Sequence, residues 1–441
     1  MVTKITRETI NSLKNEGLKN DAFRYVKMYA DFTSAVEESG VTVHPTDDRT
    51  NRQELIEKLE GLGATVRNNG KSIVLNAISP SCEDCRTGFG SATYILTLAC
   101  NRDCFFCTNK NQMDYEGSQH KINDVVAEFK RDLKRYKEMT SAALTGGEPL
   151  LHPDKCAEFL KKVKKTSKNT QTRIYTNGDL ATPEILMQLR DAGLDEIRFG
   201  LKPDENGDVS QKILDTIKES IKYIPRTMVE MPVFPGTLEK MKELMVTLDE
   251  MGVFGINVLE FLYPWVHPEE YAKKGHEVAH RPYNILFNYT YAGGLPVSGS
   301  ETECLELLLF CAEKKLKMGV HYCSLENKLT AQVYHHNFNL RLAGTEVFSE
   351  KDFFIKTAKG YGDDIYWIKE KLDEAGCDHY VFNNSSKFIE FSPKNVPLLK
   401  ERDMELGLTY LALDFDEEGN KVLREVQIDM INPQTFSLED I

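Results

Sequence analysis

Cys100, Cys104 and Cys107 lie in the run Cys100-Asn-Arg-Asp-Cys104-Phe-Phe-Cys107, a C-x3-C-x2-C spacing directly after the apolar stretch Tyr94-Ile-Leu-Thr-Leu. Three thiolates on one tight loop can hold three irons of a cubane cluster and leave the fourth iron without a protein ligand from this motif. Such an open iron can chelate the amine and carboxylate of an amino acid. Phe106, just before the last cysteine, would give that site an aromatic wall. A structural zinc loop would need a fourth ligand. Three core cysteines are a poor fit to a loop with Asn, Arg and Asp between them.

A looser set lies nearby. Cys82-Glu-Asp-Cys85 is a C-x2-C pair just upstream, and two thiols cannot complete a tetrahedral site. His321-Tyr-Cys323-Ser follows a short apolar run and offers a third thiol. Cys82, Cys85 and Cys323 are therefore read as an auxiliary site for an iron–sulfur cluster or zinc, with a redox thiol pair at Cys82 and Cys85 as the alternative. Five of the ten cysteines fall between positions 82 and 107, which points to metal or cluster ligation rather than to a secreted disulfide framework. Cys304 and Cys311, seven apart on an expected helix, read as core.

The elements that must position these residues follow from the hydrophobic pattern. From Ala92 to about 265, strand-like runs alternate with segments of 3.6-residue periodicity six times. Short β–α connections imply parallel strands with right-handed crossovers. The fold class expected is α/β, a partial (β/α)6 TIM-like barrel with its chemistry at the C-terminal strand ends. Four divisions are expected. Residues 1–80 are helical with a hairpin turning at Asn69-Gly70, a candidate winged-helix domain. Residues 81–265 are the barrel, 266–345 a helical extension closing it, and 346–441 an acidic α+β domain.

The 441 residues are 41% hydrophobic and 28% charged, which permits a sizeable core and excludes a disordered or collagen-like chain. No apolar run approaches the ~20 residues of a membrane span, and no apolar segment follows the charged start; a cytoplasmic protein is expected. The net charge is −13, of which −9 lies in residues 350–441, with 20 acids and 11 bases there. An acidic chain is a poor binder of phosphate backbones, so nucleic acid is disfavoured as a partner.

Taken with Leu144-Thr145-Gly146-Gly147-Glu148-Pro149 one β–α unit later, the cysteine motif resembles the radical S-adenosylmethionine (SAM) superfamily over roughly residues 90–265. The resemblance implies a [4Fe-4S] cluster on Cys100, Cys104 and Cys107, with SAM on the open iron. The cluster would cleave SAM reductively, and the resulting 5′-deoxyadenosyl radical would abstract hydrogen from a substrate. An electron donor such as flavodoxin or ferredoxin is implied. Thr145, Gly146, Gly147, Glu148 and Pro149 look like the segment that binds the methionine amine. Thr176 and Asn177 are similar to a ribose-contacting turn, and Phe106 flanks the cofactor. Arg198 and Lys202, at the end of the fourth strand, are placed to reach a carboxylate of cofactor or substrate. The strand containing Val258 resembles one that touches adenine through its backbone.

Cys82-x-x-Cys85, Gly193-Leu-Asp-Glu-Ile-Arg-Phe, Ser298-Gly-Ser-Glu and His321-Tyr-Cys-Ser extend the resemblance to a largely archaeal group named for its relation to pyruvate formate-lyase activating enzyme. The N-terminal 75 residues are additional, and Thr108 stands where that group tends to have proline. The substrate expected is a peptide or protein; the alternatives are a small metabolite, or a non-enzymatic iron–sulfur or zinc protein. Tyr263, Tyr322 and Cys377 are candidates for the group that completes the reaction.

Overall fold

The computed structural model describes residues 2–111, 114–136, 138–204, 207–264, 268–287 and 294–441. The chain divides into two compact units. One comprises Val41–Pro282 with Tyr291–Ala331, the other Met1–Gly40, Tyr283–Thr290 and Gln332–Ile441.

The first unit is built on nine strands: β1 (Thr65–Arg67), β2 (Ser72–Leu75), β3 (Ser91–Thr97), β4 (Ser141–Gly146), β5 (Gln171–Thr176), β6 (Glu196–Gly200), β7 (Arg226–Val233), β8 (Gly255–Glu260) and β9 (Gly319–Cys323). Their order is β1-β2-β9-β8-β7-β6-β5-β4-β3, and the path does not close. The strands from β3 to β8 and β9 are parallel, whereas β2 pairs antiparallel with β9 and β1 antiparallel with β2. The expected partial α/β barrel is present, with a seventh parallel strand beyond the six. Helices α1 (Arg52–Gly61), α2 (Val125–Arg135), α3 (Pro153–Thr166), α4 (Pro183–Ala192), α5 (Gln211–Ser220), α6 (Leu238–Met251) and α7 (Ser300–Glu313) belong to this unit.

Local chemistry sets the helix ends. Asp124 accepts from Ala127 N at 2.9 Å to start α2, and Thr182 caps α4. Gly193 and Gly252 end α4 and α6 at φ +98° and +78°, a conformation that favours glycine. Side chains alternate across each strand. Leu144, Ile174, Ile197, Phe199, Val229, Ile256, Val258, Val320 and Tyr322 join Phe159, Leu160, Leu189, Met245, Leu248, Cys304 and Cys311 in one buried core outside the sheet. The core reading of Cys304 and Cys311 holds. Each fully buried Leu or Phe there contributes ~2 kcal/mol by leaving water.

The second unit holds an antiparallel sheet in the order Val2–Thr3, Lys421–Ile431, Leu406–Phe415, Ile355–Tyr361, Phe388–Phe391, Tyr380–Asn383. Helix Glu16–Glu38 covers one face through Leu18, Ala22 and Tyr25. Helix Asp364–Glu374 covers the other through Ile365, Ile368 and Leu372.

Two expectations about organisation are corrected. Residues 1–80 form no domain of their own: helix Glu16–Glu38 packs on strands of the second unit, while the hairpin β1–β2 extends the barrel sheet by pairing Val74 with His321. A winged-helix reading fails because the wing is an integral part of another sheet. The division expected at 345/346 falls earlier, between Ala331 and Gln332, and the segment 266–345 supplies a strand and a helix of the barrel rather than a purely helical closure. The division expected at 265/266 lies outside the described residues. Among the described residues no helix is long and apolar enough to cross a membrane.

Candidate metal centre and barrel interior

The loop carrying Cys100, Cys104 and Cys107 leaves the C-terminal end of β3. All three cysteines are free thiols and half-buried. In a cubane each thiolate holds a different iron, so the three need not converge on a single point. Lys202 and Arg102 bring positive charge to the loop: Lys202 acts on Cys104, and Arg102 on Cys100 and Cys104. Burial raises the pKa of the Cys104 thiol, and Lys202 and Arg102 pull against that rise. The residues therefore fit a cluster bound by three cysteines.

The loop is fixed to the ends of the next two strands. Gly147 N donates to Thr97 O and Glu148 N to Ala99 O, both at 2.8 Å. A Cβ on Gly146 would sit 2.0 Å from Thr97 O, and one on Gly147 2.1 Å from Ala99 O. The glycine pair thus lets β4 press against the backbone that enters the cysteine loop. Asn109 Nδ2 donates to Gly146 O at 2.6 Å from the far side of the motif. Thr145 is half-buried and Pro149 buried, the latter opening a short turn through Leu151.

Glu148 is fully buried, and its carboxylate is taken by the chain itself. It accepts from Leu150 N at 2.9 Å, Thr176 Oγ1 at 2.8 Å and Asn177 N at 2.7 Å. Burial pushes its pKa above the usual carboxylate range, and these donors pull it back. Asn177 Nδ2 in turn reaches Asn101 Oδ1 at 2.7 Å and Cys100 Sγ at 3.7 Å. Sequence reasoning missed the strongest link. Arg102 donates side-on to Asp179, Nε to Oδ2 and Nη2 to Oδ1, both at 2.6 Å, and Asn101 Nδ2 adds a third bond to Asp179 at 3.0 Å. The hydrogen bonds from Arg102 hold Asp179 below its usual pKa. The readable signal was an arginine between the cysteines and an aspartate after Thr176-Asn177-Gly178, on loops expected at the same end of the sheet.

Phe106 lies against Phe105 and Phe234, with ring centroids at 5.1 and 5.2 Å, and Lys202 Nζ stands 5.1 Å from its ring centre. Phe234 and Phe261 follow β7 and β8, so an aromatic group stands over the strand ends. Lys202 is thus where the sequence put it.

Arg198 is not. It faces the barrel interior, where Nε donates to Glu196 Oε1 at 2.6 Å, Nη1 to Glu230 Oε2 at 3.0 Å and Tyr175 Oη at 3.2 Å, and Nη2 to Cys82 Sγ at 3.2 Å. A guanidinium neutralised by two carboxylates is unavailable to an incoming one. Val258 is likewise displaced from its expected role. Its side chain lies in the core outside the sheet, and β9 pairs with β8 as far as Leu259, so the backbone at Val258 lies between two strands. The same core holds Tyr322, which removes it from the interior, and Cys377 belongs to the other unit. Tyr263 is buried and donates to Pro268 O at 3.0 Å.

Cys82, Cys85 and Cys323 share one electrostatic neighbourhood: the Cys323 thiol feels both of the others. Cys82 also accepts from Asn257 Nδ2 at 3.6 Å, and Cys323 from Asn327 Nδ2 at 3.3 Å. His321, expected beside Cys323, bonds to Asn257 Oδ1 and Ser72 Oγ at 3.0 and 2.9 Å. Among the described residues no three Cys, His, Asp or Glu side chains are set to hold a single metal ion.

The chain is similar to known proteins over parts of its length. A Methanocaldococcus jannaschii protein, named provisionally as a glycyl-radical enzyme activating enzyme, is 25% identical over 316 residues, 69% of this chain and 80% of its own. The Pyrococcus furiosus tungsten-containing aldehyde ferredoxin oxidoreductase cofactor-modifying protein is 30% identical over 107 residues, 24% of this chain and 29% of its own. Streptococcus suis SuiB bound to its precursor peptide SuiA aligns over 72% of this chain and 67% of its own, at 11% identity and a TM-score of 0.38, too distant to bear on function. The description Radical SAM superfamily matches residues 94–248, the stretch with the three cysteines, Gly146-Gly147-Glu148 and the Asp179 clamp, and that stretch is a radical SAM domain, of a family whose enzymes use a [4Fe-4S] cluster and SAM.

Proposed function

We propose that the chain is a radical SAM enzyme in which Cys100, Cys104 and Cys107 hold the [4Fe-4S] cluster and which abstracts hydrogen from a peptide or protein substrate. The observation that carries the reading is the clamped cysteine loop: three free thiols at one strand end, pinned to β4 through Gly147 and Glu148 and to the turn after β5 through Arg102 and Asp179. When bound, the cluster and SAM supply a carbon-centred radical. The chain's own residues do the rest. Arg102 and Lys202 offset the charge of the thiolates, and Lys202 stands beside Phe106, where a cofactor carboxylate would find a cation. Phe105, Phe106, Phe234 and Phe261 form an aromatic group over the strand ends and keep water from the reacting atoms. Glu148 fixes the backbone of its segment and of Asn177 on either side of the site. The external electron comes from a donor of the flavodoxin or ferredoxin kind.

The protein-substrate reading draws support from the name of the M. jannaschii relative, which matches 69% of this chain. The experiment is an anaerobic incubation of reconstituted, reduced protein with SAM, followed by quantitation of 5′-deoxyadenosine. Turnover by the native chain and none by Cys104→Ala supports the reading. Equal product from the variant refutes it.

A further inference from the structure

The interior of the barrel carries a charge without a counter-charge. Arg173 projects from β5 on the same side as Tyr175 and is 94% buried by its 6% residual exposure. Its Nη1 donates to Ser141 Oγ at 3.0 Å and its Nη2 to Thr93 Oγ1 at a long 3.4 Å. Both partners are neutral hydroxyls. Its Nε is buried with no hydrogen-bond partner. Among the described residues no carboxylate stands at ion-pair distance from Arg173.

Two arginines of the same chain show what is missing. Arg198, across the face of Tyr175, is neutralised by Glu196 and Glu230; the two guanidiniums stand 5.4 and 5.6 Å from that ring centre. Arg102 presents its Nε–Nη2 edge to Asp179 as a side-on pair. Arg173 has the same edge, with Nε unused and Nη2 weakly held. An unpaired buried cation is costly, and a carboxylate on that edge satisfies both N–H groups at once. Lys328, which acts on Cys85, Cys323 and Glu230 from the helix after β9, has no carboxylate at ion-pair distance among the described residues either. Arg173 lies three residues below Thr176, roughly 10 Å along the strand from the cysteine-loop end.

We propose that Arg173 is a substrate-binding residue that receives a carboxylate of the substrate in the barrel interior, with Lys328 adding positive charge to the same space. This rests on the reading of the barrel as the reaction chamber. It names the substrate class as a carboxylic acid, either a small acid or the acidic group of a peptide.

The test is binding to the full-length chain, with and without reconstituted cluster, at ionic strength held constant with chloride. The probes are succinate, the acidic tripeptide Gly-Glu-Gly with its C-terminus amidated, and inorganic phosphate. Calorimetry and thermal unfolding are the readouts. The proposal expects one carboxylate probe to bind and to raise Tm, and Arg173→Met to weaken it at least tenfold. It also expects Arg173→Met alone to leave Tm at or above that of the native chain, because a merely structural arginine would lower it. Arg173→Lys, which keeps the charge and loses the fork, should fall between the two. Succinate alone binding marks a small acid, and the tripeptide alone a peptide; either supports the proposal. It is overturned by equal binding to native and variant chains, by phosphate acting where both carboxylates do not, by no probe binding, or by a lowered Tm in Arg173→Met. No step of the test involves SAM cleavage, so 5′-deoxyadenosine formation can succeed where this fails, and the reverse.

Discussion

Arg102 and Asp179 tie the cysteine loop to the turn after β5, and both side chains are only about a quarter exposed. Asp179→Asn keeps the shape and weakens the charge-assisted pair, whose type contributes about 1.5–3 kcal/mol when intact. The expected result is a several-fold drop in iron retained after reconstitution and desalting, with the unfolding midpoint moved by only a few degrees. Glu260, at the end of β8, shows a different balance. Arg52 Nε donates to Glu301 Oε1 at 2.6 Å, so Glu301 takes that cation, and Glu260 keeps the backbone N–H of Leu325. Burial, then the charge of Glu301, pushes the Glu260 carboxyl up to about 8. The folded chain therefore holds a proton that the unfolded chain releases near pH 4. The stability this gives is present in acid and is lost as pH rises through about 8. Glu260→Gln, which keeps the acceptor, should remove that loss: from pH 6 to pH 9 its stability should fall less than that of the native chain, by roughly 1–3 kcal/mol in denaturant titrations.

At the scale of elements, the junction of β3 and β4 is the least forgiving place in the site. A methyl group on Gly147 would lie 2.1 Å from Ala99 O and 2.5 Å from Leu98 O, both backbone atoms that cannot turn aside. Gly147→Ala should cost about 3 kcal/mol or more in thermal unfolding and should lose cluster binding with it, because the strand end must part from the loop. The sequence pattern located this junction, since paired glycines at a strand end demand a close approach, but it could not say what is approached. The neighbour on the Cβ side of each glycine is the chain's own backbone. The same limit explains Arg198 and Val258. Periodicity placed both on strands, yet whether a side chain faces the interior or the helices depends on register. The backbone at Val258 is enclosed because a seventh strand, β9, pairs beside it.

At the scale of the whole molecule, the two units are interleaved along the chain. Hydrophobic patterning showed the helix, the hairpin and the strands of residues 1–80 but not their allegiance, because antiparallel pairing of Val74 with His321 joins residues 247 positions apart and leaves no local trace. A truncation at the sequence-based boundary, residues 81–345, removes Leu55, Ile56, Leu59, Ile73 and Leu75 from the barrel core. It should be insoluble or aggregate, whereas residues 41–331 should stay soluble, as size-exclusion chromatography would show. The cysteine motif was legible because its ligands are local in sequence; the Arg102–Asp179 clamp and the unpaired Arg173 were not, because partners and their absence are set by the fold. The most direct measurement of the central claim is electron paramagnetic resonance of the anaerobically reconstituted, dithionite-reduced full chain, before and after SAM is added. Cys100, Cys104 and Cys107 predict a reduced [4Fe-4S] signal that changes its g-values on addition of SAM and vanishes in the Cys100→Ala, Cys104→Ala, Cys107→Ala triple variant. A signal indifferent to SAM, or one that survives in the triple variant, would contradict it.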